Sequence, residues 1–500
     1  MEKLSKILKW IDLNLLKIVL FGFIFIIPLY PKFPFLDLEY TYISIRLEDL
    51  YIAFVCLVFF IQLIRKKVAL RTNLLPYFVL FWISVFLSFI VGHYIMHTIP
   101  VMNIGFLHAA RRVEYMVIFF IALSSIKSKA DLLFYLKASF FVVLLVCLYG
   151  IGQKWFEFPA VQTMNPEFAR GHLLQLTPEA RVSSTFGGHY DLAAYLVFFM
   201  PIVLGLYFKS KKILYFLLFT LCVYVLVLTA SRVSYIAYLV SIFTFLIFMK
   251  KPKEFILILL ITIPLTLFSK NLTSRIFKTL QIKQIFINQK TGQVVVPEQI
   301  SSKELPAGSF YVQYDKDKVQ DVSSTTSALM MARLLDDIRE QASREGKVLT
   351  SSQEAALVGT ASSQLTPVST VISDISFATR LQVEWPRAIE AFMKNPLLGT
   401  GASSITESTD NDYLRWIGEF GILATGFFLF ILFSIIKSVW TAIPKFKKED
   451  QAVFLGFLFG VGALLINAGY IDVFEASKVA YTFWFVAGIF MGSLLMYEKN

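Results

Sequence analysis

About twelve stretches of nearly unbroken apolar sequence, each close to the length that crosses a bilayer, recur along this chain. No other feature limits its fold as strongly. Inside lipid every backbone N–H and C=O must find a partner within the protein, which leaves helices or closed barrels. The runs lie near 13–30, 49–64, 74–92, 113–127, 134–152, 189–208, 213–230, 232–249, 254–269, 416–438, 451–469 and 477–496. They are far longer than barrel strands, so the spans are helical. Charged residues make up 16% of the chain, where a soluble protein would carry roughly a quarter. The sequence therefore specifies an all-α polytopic membrane protein of about twelve transmembrane helices.

The turns between the runs alternate in charge. One set holds Arg65, Lys66, Lys67 and Arg71, then Lys127 and Lys129, then Lys209, Lys211 and Lys212. It continues with Lys250, Lys251, Lys253, Lys445, Lys447 and Lys448. By the positive-inside rule these face the cytoplasm, and Lys3, Lys6, Lys9 and Lys499 put both termini there. The other set faces outward: 31–48, 93–112, 153–188, 231, 270–415 and 470–476. Within 270–415, sixteen Lys/Arg balance sixteen Asp/Glu. The net charge of +12 thus comes mainly from cytoplasmic turns, which makes it a topology signal and argues against nucleic-acid binding. The cations of the short outward turns are mostly arginine, the residue suited to bidentate phosphate contacts.

Cys56, Cys147 and Cys222 all lie in apolar runs and read as buried small hydrophobes. The first run is followed by Pro31-Lys32-Phe33-Pro34 with no small-residue cleavage site, so it reads as a membrane anchor. The chain divides into a bundle over 1–269, an extracytoplasmic loop over 270–415 and a second bundle part over 416–500. In the loop, FINQKTGQVVVPEQ and PAGSFYVQY suggest a small strand-containing piece. Leu329, Met330, Leu334, Leu335 and Ile338 form one face of an amphipathic helix over 324–345, with Gly346 as its C-cap. The Ser/Thr-rich segment 348–373 reads as loop.

Three polar stretches could carry chemistry. RVSSTFGGHYDLAAYL (181–196) ends an outward loop and enters a span. A Gly-Gly turn beside Arg181 can form an anion pocket, with the bland alternative of a helix start bearing Asp191 near its positive end. LTASRVSYIA (228–237) is a tight outward turn whose Arg232 either snorkels to headgroups or holds a ligand. RLQVEWPRAIEAFMKNPLLGTG (380–401) places Arg380, Glu384 and Arg387 on one helix face, and Pro386 must kink that helix or start a second one. Phe377, Leu381, Trp385, Ala388 and Phe392 form a stripe that would dock it. His93 and His97 have the spacing of a metal pair but no third ligand follows. His172 and His189 flank Arg181 and suit acid–base or hydrogen-bonding roles.

These stretches, followed by DNDYLRWIGEFGIL (410–423), resemble the O-antigen ligase and polymerase family in order, spacing and outward position. The resemblance covers about 40–260 and 374–490, and leaves about 275–373 as an insertion. It implies transfer of a glycan from a polyprenyl-diphosphate carrier to an acceptor hydroxyl, at the outer face of the cytoplasmic membrane. It implies no metal and no cofactor. Arg181, Arg232 and Arg380 match the family arginines that hold the diphosphate. Asp410 stands in the base position, with Arg387, His189, His172, Asn411 and Asp412 in support. Ligases of this family usually carry a histidine where this chain has Asp410, and a carboxylate is the weaker base near neutral pH. A polymerase, a non-catalytic relative that binds lipid-linked sugar, and a small-anion transporter are the other readings.

Overall fold

The computed structural model describes residues 2–37, 44–70, 72–161, 163, 173–177, 180–269, 271–273, 275, 280–288, 294–295, 324–344, 349–362, 365–373, 379–405 and 409–497. They fall into two units, Met1–Thr273 with Glu384–Asn500, and Ser274–Val383.

The first unit is helical. Its helices are α1 (Glu2–Leu29), α2 (Leu47–Ile64), α3 (Leu75–Ile90), α4 (Met102–Ser125), α5 (Lys129–Trp155) and α6 (His189–Ser210). α7 (Ile213–Thr229), α8 (Arg232–Phe248) and α9 (Pro252–Phe268) follow. Each predicted apolar run falls on a helix. Among the described residues eight helices are long and apolar enough to cross a membrane, and Ile213–Thr229 and Arg232–Phe248 are shorter apolar helices. One boundary differs from expectation. The segment 93–112 is not all turn, because α4 starts at Met102 and carries Arg111 and Arg112 inside it. Both arginines can sit in a helix because distant carboxylates face them, Glu475 at Arg112 and Asp49 on α2 near Arg111, which local sequence does not show.

In the second unit, α10 (Ser324–Arg344) and α11 (Ser351–Ser362) pack through Met330 and Leu334 against Val358 and Ala361. The Arg339 guanidinium donates two 2.9 Å hydrogen bonds to Glu354. Strand β1 (Leu280–Asn288) lies between β2 (Val294–Val295) and β3 (Leu365–Ser373), all antiparallel, with Leu280 opposite Ser373 and Asn288 opposite Leu365. The expected loop at 348–373 is thus a helix and a strand. Its Ser and Thr content hides a β-branched run, TPVSTVIS, whose partner strand lies some eighty residues earlier. Gly346 and 306–314 lie outside the described residues.

The chain returns to the first unit through α12 (Trp385–Lys394), α13 (Asp412–Ala442), α14 (Lys448–Ala468) and α15 (Ser477–Tyr497). α6 packs along α14 and α15 packs along α4, and α6 and α15 are the most enclosed spans. Small residues set these distances. A Cβ at Gly456 would sit 2.4 Å from the Pro201 carbonyl oxygen, and one at Gly488 would sit 2.4 Å from that of Phe119. Backbones approach this closely only where side chains are absent.

Candidate functional site

The loop before α6 is fastened from three directions. Gln153, near the end of α5, accepts from the N–H groups of Ser183 and Ser184 at 3.2 and 2.7 Å. Its amide donates to the carbonyls of Ser184 and Pro159. Ser184 takes a left-handed conformation, φ 51°, and its hydroxyl donates to the Val146 carbonyl. Thr185 donates to the Pro28 carbonyl at 2.6 Å. The buried Lys478 ammonium donates to the carbonyls of Pro28, Tyr30 and Thr185. With so many bonds, a non-glycine residue can be held at positive φ. The loop delivers Gly188 as the N-cap of α6 and His189 as its first residue. There Arg181 Nη1 donates to His189 Nε2 at 2.6 Å, so that nitrogen carries no proton and Nδ1 does.

The second motif lies against the first. Val182 N–H donates to the Leu228 carbonyl at 3.3 Å. The turn passes through Ala230 at φ 49°. Ser231 donates to Ser234, which donates to Asn467 on α14 at 2.6 Å. Arg232, half-buried, begins α8. The loop that carries Arg181 and His189 and the turn that carries Arg232 therefore adjoin at one end of the bundle.

The third motif makes a hairpin onto a broken helix. α13 is interrupted at Gly421, φ 66° and ψ −172°. The N–H groups of Thr400 and Gly401 donate to the carbonyls of Gly418 and Glu419 at 3.0 and 2.8 Å. Those of Ile422 and Leu423 donate to the carbonyls of Pro396 and Leu397. The Pro-Leu-Leu-Gly-Thr-Gly turn thus satisfies the groups that the break frees. Pro386 lies in the first turn of α12, which it starts rather than kinks. The docking face keeps Ala388 of the expected stripe, with Trp385 and Phe392 half-buried, and adds Ala391 and Ile405, while Leu381 is exposed. The small face lets α12 lie close to α13, where a Cβ at Gly418 would meet the Ala388 carbonyl oxygen at 2.9 Å.

Asp410 precedes α13, and its N–H donates to Glu384 at 3.1 Å. Asn411 is the N-cap, accepting from Leu414 N–H at 3.0 Å and donating to the Gly469 carbonyl. Asp412 is buried and accepts from the N–H groups of Val473 and Phe474 at 2.7 and 3.1 Å. Asn411 and Asp412 thus fix the chain around Asp410. Asp191, in the first turn of α6, is within electrostatic reach of Lys32, Lys478 and Asp410. Arg380 opens a π-helical turn, Arg380–Glu384, and belongs to the second unit; Arg387 is exposed on α12. His172 lies outside the described residues. His93 Nδ1 donates to the Ile99 carbonyl at 2.9 Å, and among the described residues no group of three or more His, Cys, Asp or Glu is arranged to hold a metal ion.

Sequence reasoning missed an ion network beneath Asp410. Arg112 pairs with Glu475 at 2.5 Å and approaches Glu419 at 4.0 Å. Arg415 pairs with Asp472, and Asp472 also accepts from Asn411 N–H at 3.2 Å. Burial pushes the Asp472 carboxyl well above the usual carboxylate range; Arg415 opposes this, and Asp412, Asp410 and Glu475 add to it. The available signal was charge in or at the edge of apolar runs, Glu419 inside 416–438 and Arg112 just before 113–127, since a membrane bundle holds these only in pairs.

Residues 216–431 match the family model described as O-antigen ligase. The match takes in Arg232, Arg380 and Asp410. No curated protein and no solved structure matches the chain.

Proposed function

Since the chain belongs to the O-antigen ligase and polymerase family, we propose that it transfers a glycan from a polyprenyl-diphosphate carrier to an acceptor hydroxyl. The reaction takes place at the outer face of the cytoplasmic membrane. Both termini lie in the cytoplasm, and the 270–415 segment lies outside. The acceptor oxygen attacks the anomeric carbon, the bond from that carbon to the phosphate oxygen breaks, and the carrier diphosphate departs as an anion. Arg181 and Arg232 stabilise the charge that develops on it, as fixed donors do in a partly dry site. Arg380 is assigned the same role on the resemblance alone. Asp410 takes the acceptor proton or orients the group that does. The configuration at the anomeric carbon inverts, as a single displacement requires.

The observation that carries this reading is the junction of the Arg181 loop and the Arg232 turn at the N-terminus of α6. Two guanidiniums and a helix start suit an anionic leaving group. The test is turnover of a lipid-diphosphate-linked glycan by the purified protein in bilayers. Release of carrier diphosphate is expected, persisting in chelating buffer, and lost in Arg181→Ala and Arg232→Ala. Wild-type turnover in both variants would sink the reading.

Asp410 in place of the usual histidine favours a second reading, polymerase or binding-only relative over ligase. Removing the gene separates these. Long lipid-linked chains accumulate if a ligase is lost, and single lipid-linked repeat units if a polymerase is lost. An unchanged glycan profile counts against both.

A further inference from the structure

Two buried lysines meet the loop that precedes α6, and they differ. Lys478 has three carbonyl partners and is fully engaged in holding that loop. Lys32 is only 6% exposed and has no hydrogen-bond or ion-pair partner among the described residues. A buried ammonium without a partner is costly unless something else completes it. Burial lowers its basicity, Arg46 and Arg111 act in the same direction, and Asp191 and Glu48 oppose them.

The Lys32 tip points at the α6 N-terminus. A Cβ at Gly187 would lie 3.2 Å from Lys32 Cδ and 3.5 Å from Nζ. Gly187 directly precedes the N-cap Gly188, and Arg181 bonds to His189 one residue further on. The missing side chain at Gly187 leaves room for the Thr163 hydroxyl, 2.3 Å from where a Cβ would stand, and the Lys32 ammonium lies next to that spot, beside the unsatisfied N–H groups of a 22-residue helix. The nearby carboxylates do not close the site. Glu48 is held by Ser477 at 3.2 Å and faces Arg46 at 3.9 Å, and Asp191 makes no ion pair within 4 Å of Lys32. Lysine, helix start and arginine together form a setting for a compact, multiply charged anion.

We propose that Lys32 is a binding residue for the diphosphate of the lipid carrier, donating to a phosphate oxygen at the N-terminus of α6 beside Arg181. This rests on the donor site proposed above and adds a cation that none of the recognised motifs contains. Lys478, by contrast, is engaged in tying that loop to the end of α1.

The experiment is binding of a polyprenyl diphosphate without glycan to the full-length protein in nanodiscs. The matched polyprenyl alcohol and inorganic pyrophosphate are the comparison ligands. Lys32→Met is expected to weaken polyprenyl diphosphate binding at least about tenfold and to leave alcohol binding unchanged, since one charge-assisted hydrogen bond is lost. Pyrophosphate is expected to compete in the wild type and more weakly in Lys32→Met; equal competition in both would overturn the headgroup contact. Lys32→Arg is expected to bind better than Lys32→Met. A folded Lys32→Met that binds the diphosphate like wild type overturns the assignment and leaves the arginine reading intact. That reading fails separately if Arg181→Ala and Arg232→Ala also bind normally. If Lys32→Met does not fold, acylation of Lys32 in the wild-type protein decides. Polyprenyl diphosphate should slow it and the alcohol should not; equal rates overturn the proposal.

Discussion

The backbone N–H of Val182 donates to the carbonyl of Leu228 across 3.3 Å, and this bond fixes the Arg181 loop to the Arg232 turn. Neither arginine needs to be placed by its own side chain. Each is delivered by a turn that includes a left-handed residue, Ser184 in one and Ala230 in the other. The rigid part of the site is therefore backbone, held by Gln153, Thr185 and Lys478 on one side and by Ser231, Ser234 and Asn467 on the other.

Arg181→Lys and Arg232→Lys test whether guanidinium shape is used. Lysine keeps the charge but cannot make a bidentate contact. Each change is expected to reduce kcat/KM for the lipid-linked donor by about 10- to 100-fold, that is ~1.4–2.8 kcal/mol of transition-state stabilisation. The double variant should fall short of the product of the two, because one anion is shared. Steady-state kinetics with a defined donor check this; full additivity would place the arginines on separate ligands.

Gly421→Ala should be among the most damaging single changes in the chain. Its φ and ψ lie where L side chains are strained, and a Cβ would stand 2.4 Å from the Leu397 carbonyl carbon and oxygen. The strain alone is worth at least about 2 kcal/mol, and the clash would displace the turn that satisfies the break in α13. A sharp loss of folded protein in detergent is expected. An unaltered melting temperature would show that α13 can run straight.

The spans were legible because lipid demands long apolar runs whatever the neighbours, so each run could be read without knowing its contacts. The turns that carry Arg181 and Arg232 were legible because turn chemistry is local: Gly187-Gly188 and Ala230-Ser231 mark both positions. Lys32 was not. A lysine after a span in Pro-Lys-Phe-Pro reads as an interfacial cation, and only the fold of residues 155 positions away brings it to Gly187. Arg112 with Glu475, and Arg415 with Asp472, depend equally on which helices touch. The π turn at Arg380–Glu384 broke the even spacing expected of that face, and Glu384 serves the Asp410 backbone instead.

The proposed topology is tested at Ser351, the exposed first residue of α11. In intact cells Ser351→Cys should react with a membrane-impermeant thiol reagent, since 270–415 carries balanced charge and the lysine-rich turns lie elsewhere. Reaction only after lysis would invert the orientation and move the site to the cytoplasmic face.

Asp472 gives the stability of the bundle a pH dependence of definite sign. Burial raises its carboxyl and Arg415 works against that, so the folded protein takes up this proton at a higher pH than an unfolded carboxylate, which does so near pH ~4. Stability from this group is fully present at low pH and is lost as pH rises from about 4 through the higher folded value. Asp472→Asn keeps the shape and an acceptor for Asn411 N–H but removes the titration. Melting temperatures between about pH 4 and 8 should fall with pH in the wild type and stay flatter in the variant. Parallel slopes would assign the titration to another group.

Asp410 decides the chemistry. Its backbone is fixed by Glu384 and by the Asn411 cap, so a change of its side chain leaves the main-chain geometry in place. Asp410→Asn removes a base and preserves shape; turnover should fall by about 100-fold or more, with donor affinity nearly unchanged. Asp410→His supplies a stronger base near neutral pH. If Asp410 occupies the base position, this variant should match or exceed wild type at pH ~7, with a rate that rises as imidazole deprotonates near pH ~6.5. Loss of activity in Asp410→His together with wild-type turnover in Asp410→Asn would remove Asp410 from the reaction. Proton transfer would then fall to His172 or His189, and His172→Gln and His189→Gln would become the decisive variants.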